Sequence, residues 1–195
     1  LEVADRLFED IAYYAIKASM ELAREKGAYP AFKGSEWESG EYFTRRGYTS
    51  DRWKQLATDV AKYGIRNGYL MAIAPTGSTS NIANTTAGIY PIFKKFFIEY
   101  KKGSFTPKTA PDFNNDTFWL YKEAHTINQQ WSIKACGIRQ RHIDQAQSFN
   151  LYITPQMKAK EILDLYVEAY KQGIKTIYYI RSQSLEMDEC TSCSS

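Results

Sequence analysis

A hydroxyl-rich loop is the first feature with evident chemical potential. Residues Pro75-Thr76-Gly77-Ser78-Thr79-Ser80 follow a short apolar run and precede a segment with helical character. Backbone N–H groups and hydroxyls of such a loop converge at a helix N-terminus and bind an anion there. A glycine lets the backbone approach a phosphate closely, and hydroxyls add donors without bulk. No Gly-Lys-Ser/Thr follows at P-loop spacing, so the loop is either an anion site of another kind or an ordinary capped turn.

Two thiols, Cys190 and Cys193, lie three residues apart in a polar segment at the end of the sequence. In a cytosolic protein such a pair is redox-active or metal-binding. A structural zinc site requires four ligands, and Cys136, His125 and His142 do not complete one at any zinc-finger spacing. We therefore interpret the pair as a mobile carrier of reducing equivalents, with two incidental cysteines as the alternative.

Tyr178 and Tyr179 are adjacent in the strand-like run at residues 175–180. Successive side chains of a strand point to opposite faces, so the two rings can stack only where the strand is irregular or ends. The alternative is a pair of ordinary packing aromatics. Cys136, in a helical stretch, is expected to be a small buried hydrophobic residue.

The spacing of apolar residues predicts the elements that position these groups. Helices are expected over residues 1–26, 51–63 and 155–171, and the first carries an apolar stripe. Its members are Val3, Leu7, Ile11, Ala15, Ala18 and Leu22. Strands are expected at residues 69–74, 148–153 and 175–180, and one arm of a hairpin at 93–100.

The intervening segments are predicted to be less regular. We expect a long surface connection at residues 28–49, a loop at 104–115, and two helices within 116–141 broken near Asn128. Strands that alternate with helices indicate an α/β fold with a mixed or parallel sheet. Because two helices precede the first clear strand, the sheet is expected to be incomplete.

Composition excludes several classes of protein. With 44% hydrophobic and 24% charged residues in 195, we expect the chain to be neither disordered nor membrane-spanning, and the cytoplasm is the default location. A net charge of +3 with scattered basic residues gives no argument for nucleic-acid binding. Three cysteines, an odd number, do not make a secreted disulfide framework.

Taken together, these signals occur in the order of one known family. The chain resembles the C-terminal part of the class I ribonucleotide reductase large subunit, closest to the class Ib-like branch and its phage relatives. The matching segments are residues 18–23, 27–30, 64–67, 74–78, 144–148 and 176–179, together with the Cys190/Cys193 pair. The resemblance implies the C-terminal portion of a ten-stranded α/β barrel, incomplete on its own, over residues 1–181, followed by a flexible redox tail at 182–195. For a phage protein the location is the host cytoplasm.

The same resemblance implies roles for the candidate residues. Loop 75–79 would hold the diphosphate of a ribonucleotide, and Tyr178 and Tyr179 would pass an oxidising equivalent from the small subunit to the active site. Cys190 and Cys193 would re-reduce the active-site disulfide and then be reduced by a thioredoxin- or glutaredoxin-type protein. The helix at residues 155–171 would lie near the docking surface for the small subunit's tail.

No cofactor or metal is expected in this chain, because the resemblance places the radical on a di-iron or di-manganese small subunit. The thiyl-radical cysteine and the ribose-reducing cysteines belong upstream of the matched region, and Cys136 matches none of them. The expected partners are the N-terminal part of the large subunit, the small subunit, the protein reductant and a ribonucleoside diphosphate, with no nucleic acid or membrane. The resemblance thus implies one polypeptide of a split reductase, an enzyme active only with a separate N-terminal chain and the small subunit. The alternatives are a non-catalytic module that docks the small subunit or a thioredoxin, and a stand-alone dithiol carrier.

Overall fold

The computed structural model describes residues 1–101 and 103–182, which form two compact units. The first comprises Leu1–Ala72 and Ile138–Ala146, and the second comprises Ile73–Gly137 and the described residues from Gln147 onward. The predicted mixture of helices and strands is confirmed. In the described part of the chain the strands form two two-stranded sheets and no closed barrel.

Four helices make up most of the first unit: α1 (Glu2–Lys26), α2 (Glu36–Ser39), α3 (Glu41–Arg45) and α4 (Asp51–Tyr63). Both long helices end at a glycine with positive φ, Gly27 and Gly64. At Gly64 (φ 82°) a Cβ atom would lie 2.5 Å from the Cβ of Ala28, so the close approach of the two chain segments requires glycine there.

The core of this unit differs from the prediction in two places. On α1 the predicted apolar stripe faces outward, with Leu7 55% exposed, whereas Ala12, Ile16 and Met20 are buried and pack on α4. Periodicity identifies an apolar face but does not say which of two overlapping faces meets the core. The predicted surface connection is also wrong, since it contributes much of that core.

Four aromatic side chains of residues 28–49 are buried in the core, namely Trp37, Tyr42, Phe43 and Tyr48, although most of the segment is at least partly exposed. The rings of Trp37 and Tyr42 lie 3.6 Å apart between centroids, and those of Tyr48 and Trp53 lie 3.8 Å apart. Large aromatic side chains bury enough area to hold short helices against a core without an amphipathic repeat.

The second unit contains a hairpin and a β-α-β segment. Its elements are α5 (Thr79–Ile82), β1 (Phe96–Lys101), β2 (Ser104–Thr109), a 3₁₀ turn (Phe118–Leu120), the first part of α6 (Gln129–His142), β3 (Asn150–Ile153), α7 (Ala159–Lys171) and β4 (Tyr179–Ser182). Strands β1 and β2 pair antiparallel. Strands β3 and β4 pair parallel, and α7 connects them along the chain. Leu165 and Ala169 of α7 pack with Cys136, Phe149 and Leu151 in the core.

Several predicted boundaries are corrected. Residues 104–115 begin with strand β2, and the predicted helix pair within 116–141 is the single helix α6 preceded by a 3₁₀ turn. The predicted strand at 175–180 begins only at Tyr179, where pairing with Asn150 starts. Helix α7 begins at Ala159 because the Glu161 carboxylate accepts a hydrogen bond of 2.6 Å from the Lys158 backbone N–H.

Residues 69–74 are not a strand, and Tyr69 is largely exposed. The Asp144 carboxylate accepts the backbone N–H groups of Leu70 and Met71 at 2.7 and 2.9 Å, which takes the donors that a β-ladder would use. Within the second unit, Ile73 makes a single parallel bridge with Gln147.

The outer hairpin face is the exposed apolar side of β1 and β2. Residues directly opposite in an antiparallel pair share a face, and Ile98 is opposite Pro107 as Tyr100 is opposite Phe105. The apolar residues of this face are Phe96, Ile98, Tyr100, Phe105 and Pro107, all exposed. Over the described residues, no helix is both long and apolar enough to cross a membrane.

Candidate anion site and tyrosine pair

A cavity of about 400 Å³ lies in the second unit beside the hydroxyl-rich loop. Gly77, Ser78 and Ser80 of the loop line one side of it. Among the described residues that line it, three are cationic, Lys94, Lys108 and Arg181, and none is a carboxylate. A concave site whose charged groups are all positive favours an anionic ligand.

Two residues of the loop that line this cavity have backbone donors without a partner among the described residues. The Ser80 N–H donates to Thr76 O at 2.9 Å, and the Thr76, Thr79 and Ser80 hydroxyls donate to carbonyls at 3.0 to 3.4 Å. By contrast, the N–H groups of Gly77 and Ser78 and the Ser78 hydroxyl donate to no other residue within the described ranges. These three groups are available to an anion.

The loop therefore differs in detail from the sequence prediction. Helix α5 follows as expected, but it has only four residues, and of the donors only those of its N-cap residue Ser78 lie at its N-terminus. Gly77 and Ser78 face the cavity, whereas Pro75, Thr76 and Thr79 are not among its lining residues. The Thr76 and Thr79 hydroxyls instead fix the shape of the loop.

The hairpin places Lys108 at the cavity. Lys108 is opposite Phe97 in the β1–β2 register, and both side chains line the cavity on the side away from the outer hairpin face. Lys108 Nζ donates to Asn81 Oδ1 at 2.8 Å, which holds the ammonium group beside the loop.

Tyr178 and Tyr179 form a close pair. Their ring centroids lie 4.1 Å apart with the planes tilted by 48°. The contact is possible because Tyr178 precedes the strand and Tyr179 is its first residue, as the alternation of strand side chains requires. A side-chain hydrogen bond to Tyr179 raises the pKa of the Tyr178 phenol. Both rings are about half exposed, so the pair is not a packing contact of the core.

Arg181 connects this pair with the cavity. Its guanidinium carbon lies 5.2 Å from the centroid of the Tyr179 ring, and its side chain also lines the cavity. On β3, Tyr152 is its register partner and lines the cavity too. Burial raises the pKa of Tyr152 to about 12, while the Arg181 charge acts in the opposite direction. The sequence analysis did not single out Arg181, although its i+2 spacing from Tyr179 was a usable signal.

The remaining candidates lie elsewhere. Cys136 is fully buried in the core, as predicted. His142 is buried in the first unit, where Tyr48 Oη lies 2.8 Å from its Nδ1 and Asp5 Oδ1 lies 2.7 Å from its Nε2. Cys190 and Cys193 lie outside the described residues. Among the residues that are described, no cluster of three or more His, Cys, Asp or Glu side chains is placed to share a metal ion.

The sequence model of one protein family, described as the ribonucleotide reductase barrel domain, matches residues 1–180. The chain belongs to the ribonucleotide reductase family. The predicted family resemblance is thereby confirmed. The candidate anion loop and the tyrosine pair both lie inside the matched region.

Individual relatives agree with this family. The alpha subunit of ribonucleoside-diphosphate reductase from Treponema pallidum is 57% identical over 100% of this chain and 23% of its own length. The alpha subunit from Helicobacter pylori strain 26695 is 39% identical over 97% of this chain and 26% of its own length. The alpha subunit from a Synechocystis strain is 37% identical over 98% of this chain and 28% of its own length. The chain thus spans about a quarter of the length of these curated relatives.

Proposed function

We propose that this chain contributes part of the catalytic centre of a ribonucleoside-diphosphate reductase, which converts ribonucleotides to deoxyribonucleotides for DNA synthesis by radical chemistry. One observation carries the proposal. Gly77 and Ser78, whose N–H groups have no partner among the described residues, line a cavity whose described lining contains three cations and no carboxylate, and Arg181 connects that cavity to the tyrosine pair. A substrate site and a radical route in contact are what such an enzyme requires.

In this proposal the cavity binds the diphosphate of the substrate. The Gly77 and Ser78 N–H groups and the Ser78 hydroxyl donate to phosphate oxygens, and Lys108 and Arg181 balance their charge. Hydrogen bonds to ionised acceptors are roughly twice as strong as neutral ones. Thr76 and Thr79 hold the loop in the conformation that leaves those donors open.

The tyrosine pair is the proposed radical route. When a Tyr178 radical oxidises Tyr179, one electron and the phenolic proton leave Tyr179, and both arrive at Tyr178, which becomes an intact phenol. The short distance between the rings favours the electron transfer, and the hydrogen bond between the phenols gives the proton a path. The pair needs no cofactor of its own for this exchange.

The proposed partners follow from the alpha-subunit relatives. A small subunit with a di-iron or di-manganese centre would supply the radical, and the N-terminal part of a large subunit would supply the thiyl-radical and ribose-reducing cysteines. Cys190 and Cys193 would pass reducing equivalents from a thioredoxin- or glutaredoxin-type protein. Seven residues separate Ser182, the last of β4, from Cys190. The fully extended span from Ser182 to Cys190 is about 26 to 29 Å, enough for the thiols to reach a neighbouring active site.

The exposed side of α7 favours an additional or alternative role in docking. Leu163, Val167 and Tyr170 recur at helical spacing and are exposed, Tyr170 by 84%. Such an apolar stripe suits a peptide from the small subunit. A module that only docks that subunit would have no use for an anion cavity, so a test of the cavity separates the two functions.

A pair of substitutions at Ser78 tests the substrate site. In the large subunit assembled with this chain, Ser78→Asp would place a negative charge against the diphosphate, whereas Ser78→Asn has nearly the same shape and no charge. We expect the affinity for a ribonucleoside diphosphate to fall at least about tenfold for Ser78→Asp and much less for Ser78→Asn. Binding of the unphosphorylated nucleoside should be unchanged in both. Equal diphosphate affinity in the two variants would rule out this cavity as the substrate site.

A further inference from the structure

Arg181 takes part in two sites at once. Its side chain lines the anion cavity, and its guanidinium carbon lies 5.2 Å from the centroid of the Tyr179 ring. That distance is within the roughly 6 Å at which a cation is attracted to an aromatic face.

The strand geometry explains why one residue reaches both places. Tyr179 and Arg181 are two apart in β4, and side chains at that spacing point to the same side of a strand. The parallel register also places Arg181 opposite Tyr152, whose side chain lines the same cavity. The arginine therefore lies between the tyrosine pair and the proposed ligand.

We propose that Arg181 is a positioning residue that couples occupancy of the cavity by a diphosphate to the environment of Tyr179, an inference that rests on the proposed substrate site. A guanidinium group has a planar array of N–H donors that matches phosphate oxygens. Phosphate oxygens bind it more strongly than an aromatic face does, because the acceptor is charged. A diphosphate in the cavity draws the guanidinium toward itself and lowers the positive charge over the Tyr179 ring.

The coupling is reciprocal, as any linkage between two binding events must be. If the anion competes with the Tyr179 ring for the guanidinium, the ring in turn competes with the anion. Removing the ring therefore increases the affinity of the cavity for the anion, provided that Arg181 is present.

Lys94 provides the matched control. It is a second cation in the cavity lining, and no described contact places it over the ring of Tyr178 or Tyr179. A loss of positive charge at Lys94 weakens the anion site without removing the connection to Tyr179.

The first measurement reads the environment of residue 179 directly. In the large subunit assembled with this chain, Tyr179 is replaced by 4-fluorophenylalanine and the ¹⁹F resonance is followed while inorganic pyrophosphate is added. We expect a saturable shift in the parent protein, the same final shift at higher pyrophosphate concentrations in Lys94→Gln, and no shift in Arg181→Gln. Equilibrium dialysis with labelled pyrophosphate shows in each case whether the anion is bound.

The second measurement tests reciprocity. Tyr179→Leu should raise the pyrophosphate affinity about two- to fivefold in the parent background and leave it unchanged in the Arg181→Gln background. A parent protein that does not bind pyrophosphate would refute the proposed substrate site. If pyrophosphate binds without a ¹⁹F shift, or if the shift is the same after Arg181→Gln, the coupling is overturned. Neither result would contradict the proposed substrate site.

Discussion

Ser78 and Thr79 are neighbouring hydroxyl residues with different tasks in the loop. The Thr79 hydroxyl donates to Thr76 O at 3.4 Å and helps to close the loop, whereas Ser78 lines the cavity and its hydroxyl and N–H donate to no other described residue. A hydroxyl already engaged with a carbonyl has to break that bond before it can donate to a ligand. Binding capacity in this loop is therefore concentrated at Gly77 and Ser78.

The sequence predicted the loop but not the cations around it. Residue types and order are enough to mark Gly77 and Ser78 as possible phosphate donors, because the chemistry is local. Lys94, Lys108 and Arg181 come from three distant segments, and their convergence depends on the hairpin and on the β3–β4 register. The tyrosine pair was predicted in part. The sequence shows that Tyr178 and Tyr179 are adjacent, but it does not show that the strand begins only at Tyr179.

At the residue scale, the proposed function predicts that Tyr179→Phe lowers ribonucleotide reduction at least about a hundredfold in the assembled reductase. Phenylalanine keeps the ring beside Tyr178 but removes the phenolic proton that a radical exchange must move. Formation of deoxyribonucleoside diphosphate measures the loss, and substrate affinity should be unchanged. Tyr14→Phe, at an exposed tyrosine of α1, is the matched control and should be neutral. Activity of Tyr179→Phe close to the parent value would favour a packing role for the pair.

At the scale of elements, helix α1 shows why an apolar pattern can mislead. Val3, Leu7 and Ile11 recur every four residues, but the core contact is made by the neighbouring stripe that contains Ala12 and Ile16. Both stripes have helical spacing, and nothing in α1 alone states which one α4 covers. The aromatic residues of α2 and α3 were missed for a related reason, since four- and five-residue helices are too short to show a period.

Shortening a side chain to alanine should lower the free energy of unfolding by different amounts on the two faces of α1. Ile16→Ala, at a side chain with no exposed surface, should lower the free energy of unfolding by about 2 to 5 kcal/mol. Ile11→Ala, five residues earlier on the exposed face, should cost less than about 1 kcal/mol. Urea unfolding followed by the fluorescence of the buried Trp37 and Trp53 measures both. An equal loss for the two variants would show that the exposed face is covered in the folded protein.

At the scale of the whole molecule, three distant parts of the first unit meet at His142. Its ring nitrogens contact Tyr48 and Asp5, and the side chain has no exposed surface. Burial lowers the pKa of His142, and the hydrogen bond to Asp5 opposes that effect without reversing it. The first unit therefore holds this histidine neutral under conditions in which an unfolded chain would protonate it.

Stability should consequently decrease in mild acid. Below about pH 6.5 the unfolded chain binds a proton at His142 that the folded unit excludes, so the free energy of unfolding falls as pH falls through this range. His125, whose pKa is also lowered by burial, contributes with the same sign. The free energy of unfolding, measured with urea between about pH 5 and 8, should change less with pH in His142→Gln than in the parent protein. His125→Gln separates the second contribution, and an unchanged slope in His142→Gln would contradict the assignment.

Both units belong to the reductase barrel domain, because the family match at residues 1–180 includes residues of each. The sequence predicted that family from short segments, and it predicted an α/β fold from alternating elements. It did not predict the division at Ala72 and Ile73, since the apolar run there looks like a continuous strand. The backbone donors of that run are taken by Asp144, a residue more than seventy positions away.

The outer hairpin face has a practical consequence for handling the protein. Phe96, Ile98, Tyr100, Phe105 and Pro107 are exposed apolar residues on one face of a two-stranded hairpin, with Phe105 72% exposed. Surfaces of this kind promote self-association in concentrated solutions, and sulfate or phosphate salts strengthen the tendency because they are excluded from protein surfaces. Solubility, more than folding, is thus expected to limit the preparation of this chain at high concentration, and a charged residue at Phe105 is the simplest remedy.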